Sequence, residues 1–212
     1  MTTQTTDAAA PASFTKRIQV FYDESSRLWE QVWGEHMHHG YYGDPIDSPQ
    51  EAQRVLIEKI LEWGGGPRPP LTPQSILDVG CGIGGSTLYL ASKYRAVATG
   101  ITLSPVQAKR AAARAAMAGL SEHVQFQVAD ALAMPFADNS FDLVWSLESG
   151  EHMPNKGQFL SECCRVLKPG GRLIVATWCH RDSNPPLTLQ EKDHLAQLYR
   201  LYHLPYVLSL SD

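Results

Sequence analysis

Long hydrophobic runs are missing from this sequence. No apolar stretch reaches the roughly 18 residues that a bilayer-spanning helix needs. Cysteine is scarce, with four residues at Cys81, Cys163, Cys164 and Cys179. No two have CxxC spacing and the adjacent pair are poor partners, so the expectation is buried free thiols in a reducing compartment, not a disulfide scaffold. Excess charge is also small: 18 Lys and Arg against 22 Asp and Glu leave a net −4. That excludes a nucleic-acid partner held by bulk charge, which needs clustered cations. The first thirteen residues are small and polar, with no basic start, no apolar stretch and no Arg. They predict a disordered tail at 1–13, not a secretory signal or transit peptide, and hence a cytoplasmic location.

What is present is a chain long enough, at 212 residues, to bury a core without staples. The segment 14–66 reads as an N-terminal helical arm. Ser48-Pro49-Gln50-Glu51 is a capping box that opens a helix running to about Trp63. Gly64-Gly65-Gly66-Pro67-Arg68-Pro69-Pro70 must break it and is the best linker in the chain.

From residue 71 to 212 strands and helices alternate. Strands are expected at Ser75–Val79, Ala96–Ile101, Val124–Val128, Phe141–Ser146 and Arg172–Thr177. Helices are expected at Gly84–Tyr94, from Pro105 to the Gly119 stop, at Lys156–Leu167 and at Leu189–Tyr202. Such alternation predicts an α/β fold, a parallel sheet with helices on both faces and a ligand crevice at the strand C-termini. The expected strand order is 3-2-1-4-5. The fifth strand should be exposed or covered by the Leu189–Tyr202 helix. A free edge there predicts poor solubility or a homodimer formed through it. Pro205–Leu208 is the sole candidate for a replacement strand, and Leu208–Asp212 looks like the start of another helix.

The sharpest motif is Leu77-Asp78-Val79-Gly80-Cys81-Gly82-Ile83-Gly84-Gly85, after a strand and opening a helix. Glycines let the backbone turn sharply and approach a ligand, and a helix N-terminus offers amide groups to an anion. Three ligands compete for such a loop. A nucleotide triphosphate would want Lys-Ser/Thr after the glycines, which is absent. A dinucleotide would want an acid after the second strand, where Gly100-Ile101-Thr102-Leu103-Ser104 has none. S-adenosylmethionine fits best, with Asp78 suited to the ammonium end and Asp130 to the adenine amino group. The plain structural reading, in which each Asp merely braces a loop, stands beside this.

With these motifs in view the chain resembles the tocopherol O-methyltransferase family of class I S-adenosylmethionine-dependent methyltransferases, in its cyanobacterial form. The resemblance covers about Phe21 to Asp212. It is carried by FYDESSRLWEQVWGEHMHHGYYG at 21–43, LDVGCGIGG at 77–85, GITLSPVQ at 100–107, WSLESGEHMPNK at 145–156 and ATWCHR at 176–181. The glycine motif is common to a vast superfamily; the first and fourth segments are far narrower. The resemblance implies a Rossmann-like sheet and methylation of a phenolic ring carbon, γ- to α-tocopherol, in vitamin E synthesis. The family also carries a final antiparallel strand hairpin that this chain ends before, so the 71–212 domain is expected to be incomplete at its C-terminus.

Position by position, the resemblance implies that Asp78, Gly80, Cys81, Gly82 and Gly84 wrap the methionine end. Thr102, Leu103 and Gln107 hold the ribose, Asp130 and Ala131 the adenine, and Ser146 lies at the end of the fourth strand beside them. A phenol titrates near about 10, so a base must take its proton as the methyl moves. His152 is the first choice, with Glu151 or Glu148 fixing its tautomer; His38 and His39 are the alternatives. Trp29, Trp33, Tyr41 and Tyr42 would close over the cofactor, since an aromatic face suits a sulfonium. No metal is expected at His36, His38 and His39, which have no partner Cys or acid in register. The implied partner is a lipophilic phenol reached by peripheral contact with an internal membrane. Related N-methyltransferases acting on a small amine or alkaloid, or a cofactor-binding module without turnover, are the alternatives.

Overall fold

The computed structural model describes residues 10–43, 48–65, 70–182 and 184–211, with side chains from Phe14 onward. Residues 1–9 of the expected tail and 66–69 of the expected linker lie outside the described residues. The arm is two helices, α1 (Ala10–Trp33) and α2 (Pro49–Gly65). The arm's helix therefore starts at Ala10, inside the segment expected to be tail. Ser48 begins α2 as expected: its Oγ accepts from the Glu51 N–H at 3.2 Å.

The strands and helices then alternate as β1 (Ser75–Val79), α3 (Gly85–Tyr94), β2 (Val97–Thr102), α4 (Pro105–Met117), β3 (Val124–Val128), β4 (Phe141–Leu147), α5 (Lys156–Val166) and β5 (Leu167–Ala176). Five strands form one parallel sheet in the order β3-β2-β1-β4-β5. Ser104 caps α4, accepting from the Gln107 N–H at 3.0 Å, and Gly119 ends its turn at φ +70°. Asn155 caps α5 in the same way through the Gln158 N–H.

Side chains alternate across β1 and β4 with the period of two that a strand imposes. Ile76 and Trp145 face one core with Ile57, Ile60 and Leu61 of α2 and Leu90 of α3. Leu77, Val79 and Val144 face the other with Phe159, Cys163 and Val166 of α5. Both faces of the central strands are therefore dry, and truncating a fully buried chain such as Leu77 to Ala costs about 2–5 kcal/mol.

Four expectations are corrected here. The fifth strand begins at Leu167 and not at Arg172: Phe141 pairs with Leu167 and Leu143 with Arg172, and the residues between bulge out around Gly170 at φ +80°. The last helix, α6 (Leu189–Leu201), buries none of its residues and does not cover β5. β5 is packed by α2 on one side, where Ile174 meets Gly64, and by α5 on the other. The expected helix start at Leu208 is not found among the described residues: β6 (Cys179–His180) pairs in parallel with β7 (Leu208–Ser209), apart from the main sheet. Cys81 and Cys163 are buried as expected, but Cys164 and Cys179 are exposed.

Candidate functional site

The C-terminal ends of β1, β2 and β4 open into a cleft of about 920 Å³. The glycine loop forms its floor. Gly80 takes φ +81°, and a Cβ there would lie 2.3 Å from the Ser149 Cβ, so this position tolerates only glycine. Both the Gly80 and Cys81 N–H donate to the Ile101 carbonyl at 2.9 Å, which locks the loop to β2. No side chain caps α3, leaving its first amide groups directed at the cleft wall formed by Gly85 and Ser86.

Asp78 is buried at the cleft's base, where burial raises its carboxyl to about 7, opposed by the hydroxyl of Thr87 donating at 2.6 Å. A cation beside it would restore the carboxylate. Thr102 and Gln107 are joined at 2.6 Å, and the Gln107 amide reaches the Met37 sulfur at 3.6 Å. Asp130 accepts from the Leu132 N–H at 2.9 Å and lines the far end with Ala129 and Ala131. These features fit S-adenosylmethionine: an acid for its ammonium, helix amides for its carboxylate, a bare glycine floor and a second acid at the distal end.

The arm roofs this cleft. Ile18 and Tyr22 of α1, and His36, Met37 and His38 of the following loop, face the glycines. Glu30 of α1 pairs with Arg110 and Arg114 of α4, and the Ser104 hydroxyl donates to Asp23 at 2.5 Å. The buried Gln53 of α2 holds the loop by donating to the carbonyls of His36 and His38 at 3.0 and 2.9 Å.

Beyond β4 the chain turns through Glu148 at φ +49° into a single 3-10 turn, Gly150–His152. Ser149 anchors this turn by donating to the Val79 carbonyl at 2.7 Å. A second, aromatic pocket of about 500 Å³ opens there, lined by Phe21, Trp29, Trp33, Trp178 and Tyr202. Tyr22, Met37, Glu148 and His152 line both spaces, so the two join.

His152 lies where the two spaces join, but its partner is not the expected one. His152 Nε2 lies 2.7 Å from the Tyr22 hydroxyl, while its Nδ1 is buried without a partner. Neither glutamate fixes its tautomer. Glu151 accepts from the Thr177 hydroxyl at 2.8 Å, and Glu148 accepts from the His39 N–H and ring. Burial brings the His152 imidazole down to about 4, helped by the Lys156 and His203 charges. Burial lifts Glu151 to about 7 and holds the Tyr22 phenol well above its ordinary range.

The alternative histidines are otherwise engaged. His38 donates from Nδ1 to the His39 carbonyl at 2.7 Å, so its Nε2 must accept from His36 Nδ1 at 3.3 Å. Burial keeps both rings neutral. His38 has no lone pair left for a substrate. His39 is pushed above its ordinary value by its 2.7 Å bond to Glu148, and that bond occupies its Nδ1. Among the described residues no cluster of His, Cys, Asp and Glu has the arrangement of a metal site.

Other placements also differ from expectation. Ser146 sits behind Ser149, bonded to it at 2.7 Å, and not on the cleft wall. Gly84 serves packing: a Cβ there would meet Phe126 at 2.7 Å. Tyr41 packs edge-on to Trp63 and Tyr42 is largely exposed, both away from the cleft. Trp29 and Trp33 line the aromatic pocket instead of the cofactor cleft. Sequence reasoning missed Tyr22, Met37 and Trp178. All three lie in the quoted segments 21–43 and 176–181, which was the available signal, but no local spacing joins them.

A methyltransferase-domain family model matches residues 77–175. The tocopherol O-methyltransferase of Arabidopsis thaliana is 48% identical over 97% of this chain and 62% of its own length. The 2-methyl-6-phytyl-1,4-hydroquinone methyltransferase of a Synechocystis strain is 44% identical over 86% of this chain and 57% of its own. The chain thus spans about three fifths of the curated relatives it matches. A crystal structure from Galdieria sulphuraria, described as a sarcosine dimethylglycine methyltransferase, superposes with a TM-score of 0.75 at 30% identity, covering 89% of this chain and 70% of that one.

Proposed function

The chain belongs to the class I methyltransferases, in the family of the tocopherol O-methyltransferases, and from that premise we propose that it carries the catalytic core of an S-adenosylmethionine-dependent enzyme methylating a ring carbon of a lipophilic phenol, γ-tocopherol being the leading acceptor. The observation that carries this reading is the junction of a glycine-floored cleft with an aromatic pocket at the Tyr22–His152 pair. Asp78, the α3 amides, Thr102, Gln107 and Asp130 would hold S-adenosylmethionine, which supplies an electrophilic methyl on a sulfonium centre.

Trp29, Trp33, Trp178 and Tyr202 form a flat-walled slot for an aromatic ring, with polar groups at its inner end. The ring hydroxyl would meet Tyr22. A phenol near about 10 cannot hand its proton outright to an imidazole at about 4: the gap costs roughly 8 kcal/mol. It can do so as the ring carbon gains its methyl, because positive charge then develops on the phenolic oxygen. Tyr22 passes that proton to His152 Nε2. The proton on the methylated ring carbon must leave next, and Glu151, at about 7, is matched to take it near neutrality. His152 returns its proton to the oxygen, so one proton leaves overall. The burial of Glu151 and His152 strengthens each of these interactions.

The rim of the pocket also suits a lipid-borne acceptor. Leu28 and Val32 of α1 and Leu201 of α6 are exposed, each next in sequence to a residue that lines it. No helix among the described residues is long and apolar enough to cross a membrane. The tail of the acceptor would therefore stay in lipid while its head group enters the slot. An amine acceptor is the second reading, favoured by aromatic faces and carboxylates in one pocket. The experiment is product analysis with labelled S-adenosylmethionine and either γ-tocopherol or an indole alkaloid amine. Ring-methylated tocopherol supports the proposal; transfer to the amine alone replaces it.

A further inference from the structure

Lys156 is the first residue of α5 and lies just past the turn that carries Glu151 and His152. A cation in the first turn of a helix opposes the helix dipole, and its ordinary place is solvent. Here the side chain is half-buried and folds back instead. Its Nζ donates to the carbonyls of Gly150 at 3.1 Å, Glu151 at 3.3 Å and Met153 at 3.0 Å. The Tyr206 ring covers it at 4.2 Å. The Gly150 carbonyl also accepts from the Met153 N–H at 3.2 Å, the bond that closes the turn. One ammonium holds the three carbonyls together.

We propose that Lys156 is a positioning residue: its ammonium draws the Gly150–Met153 carbonyls to one point and so aims Glu151 and His152 into the aromatic pocket. It lines neither the cleft nor the pocket, so it acts through these neighbours. The Tyr206 ring ties the segment after α6 to the same point. The inference rests on the reading of His152 and Glu151 as proton-handling groups. The charged and titratable groups facing His152 are Tyr22 from α1, Lys156 from α5, His203 after α6, and Glu148 and Glu151 from its own turn. Of these, Lys156 and His203 oppose a positive charge on the imidazole.

Three variants separate the contributions. Lys156→Met keeps the apolar stem and removes donors and charge. Lys156→Gln keeps amide donors without charge, and Lys156→Arg keeps both. Two readouts are taken on the 212-residue chain: the NMR titration of the His152 ring, which needs no acceptor, and kcat against KM. In Lys156→Met the titration moves to higher pH, and kcat falls on the order of 10- to 100-fold through misaimed groups. The KM for S-adenosylmethionine stays within about twofold. Arg restores both readouts; Gln restores part of kcat but not the titration, and stands in if Met fails to fold. Unchanged titration and kcat in both Met and Gln variants overturn the proposal. A shifted titration in a chain that methylates neither phenol nor amine leaves Lys156 in its role and overturns the functional reading alone.

Discussion

Tyr22 and His152 stand 130 positions apart in the chain and meet at 2.7 Å, the phenol against Nε2. The contact joins the arm to the main sheet. It places a protonated phenol and a neutral imidazole where the cofactor cleft opens into the aromatic pocket. Removing the hydroxyl by Tyr22→Phe should lower turnover by roughly 10²-fold and leave S-adenosylhomocysteine affinity nearly unchanged. His152→Ala should do the same. Because the two act as one unit, the double variant should be little worse than either single one. Steady-state kinetics with calorimetry check this; additive losses would mean separate roles.

Gly80→Ala should abolish cofactor binding and cost on the order of 1–3 kcal/mol of stability, since the new methyl meets Ser149 in a backbone region side chains avoid. Thermal melts and calorimetry report the two losses. Gly65→Ala, with open space around it, is the control and should change neither.

Stability should fall as pH rises from about 6.5 to about 8, above the range in which the buried neutral rings of His36 and His152 act in the opposite sense. Asp78 and Glu151 both have folded values near 7, raised by burial above their ordinary 3.8 and 4.5. A carboxyl raised on folding gives its full contribution below the unfolded value and loses it as pH passes the folded one. Asp142 acts oppositely and at lower pH: burial would raise it, but Lys168 and Ser75 hold it down at about 2. Urea melts across this range should show the slope. In Asp78→Asn the slope should be reduced, with higher stability at pH 8 and weaker binding of S-adenosylhomocysteine.

Binding of S-adenosylhomocysteine should exceed that of NAD, because Asp78 at the glycine loop suits an ammonium and opposes a pyrophosphate. Calorimetry with both ligands decides it, and tighter NAD binding would overturn the cofactor assignment.

The protein should float with lipid vesicles through the exposed Leu28, Val32 and Leu201, and more so when tocopherol is present. Leu28→Lys with Val32→Lys should abolish flotation without altering S-adenosylhomocysteine affinity, since neither residue lines the cofactor cleft. Vesicles that never carry the wild-type protein would point to a water-soluble acceptor.

What the sequence determined by itself is local. The alternation of strands and helices, the cap at Ser48 and the glycine loop were all legible, because each depends on residues within a few positions; the five-strand order came from the resemblance, since right-handed crossing fixes the sense of each connection and not the order. The two-residue strands near the C-terminus were not legible, since pairs so short have no periodicity and exist through their mutual bonds.

Proton chemistry was decided only by the tertiary structure. The sequence places Glu148, Glu151, His152, His38 and His39 close in number but not which of them touch. Folding gives Glu148 to His39, Glu151 to Thr177 and His152 to Tyr22, three pairings between elements far apart in the chain. It also buries these groups, and burial is what lowers the imidazole and raises the carboxyl and the phenol. Desolvation and long-range contact are properties of the packed chain, so residue types alone could nominate these groups without assigning their partners or their protonation.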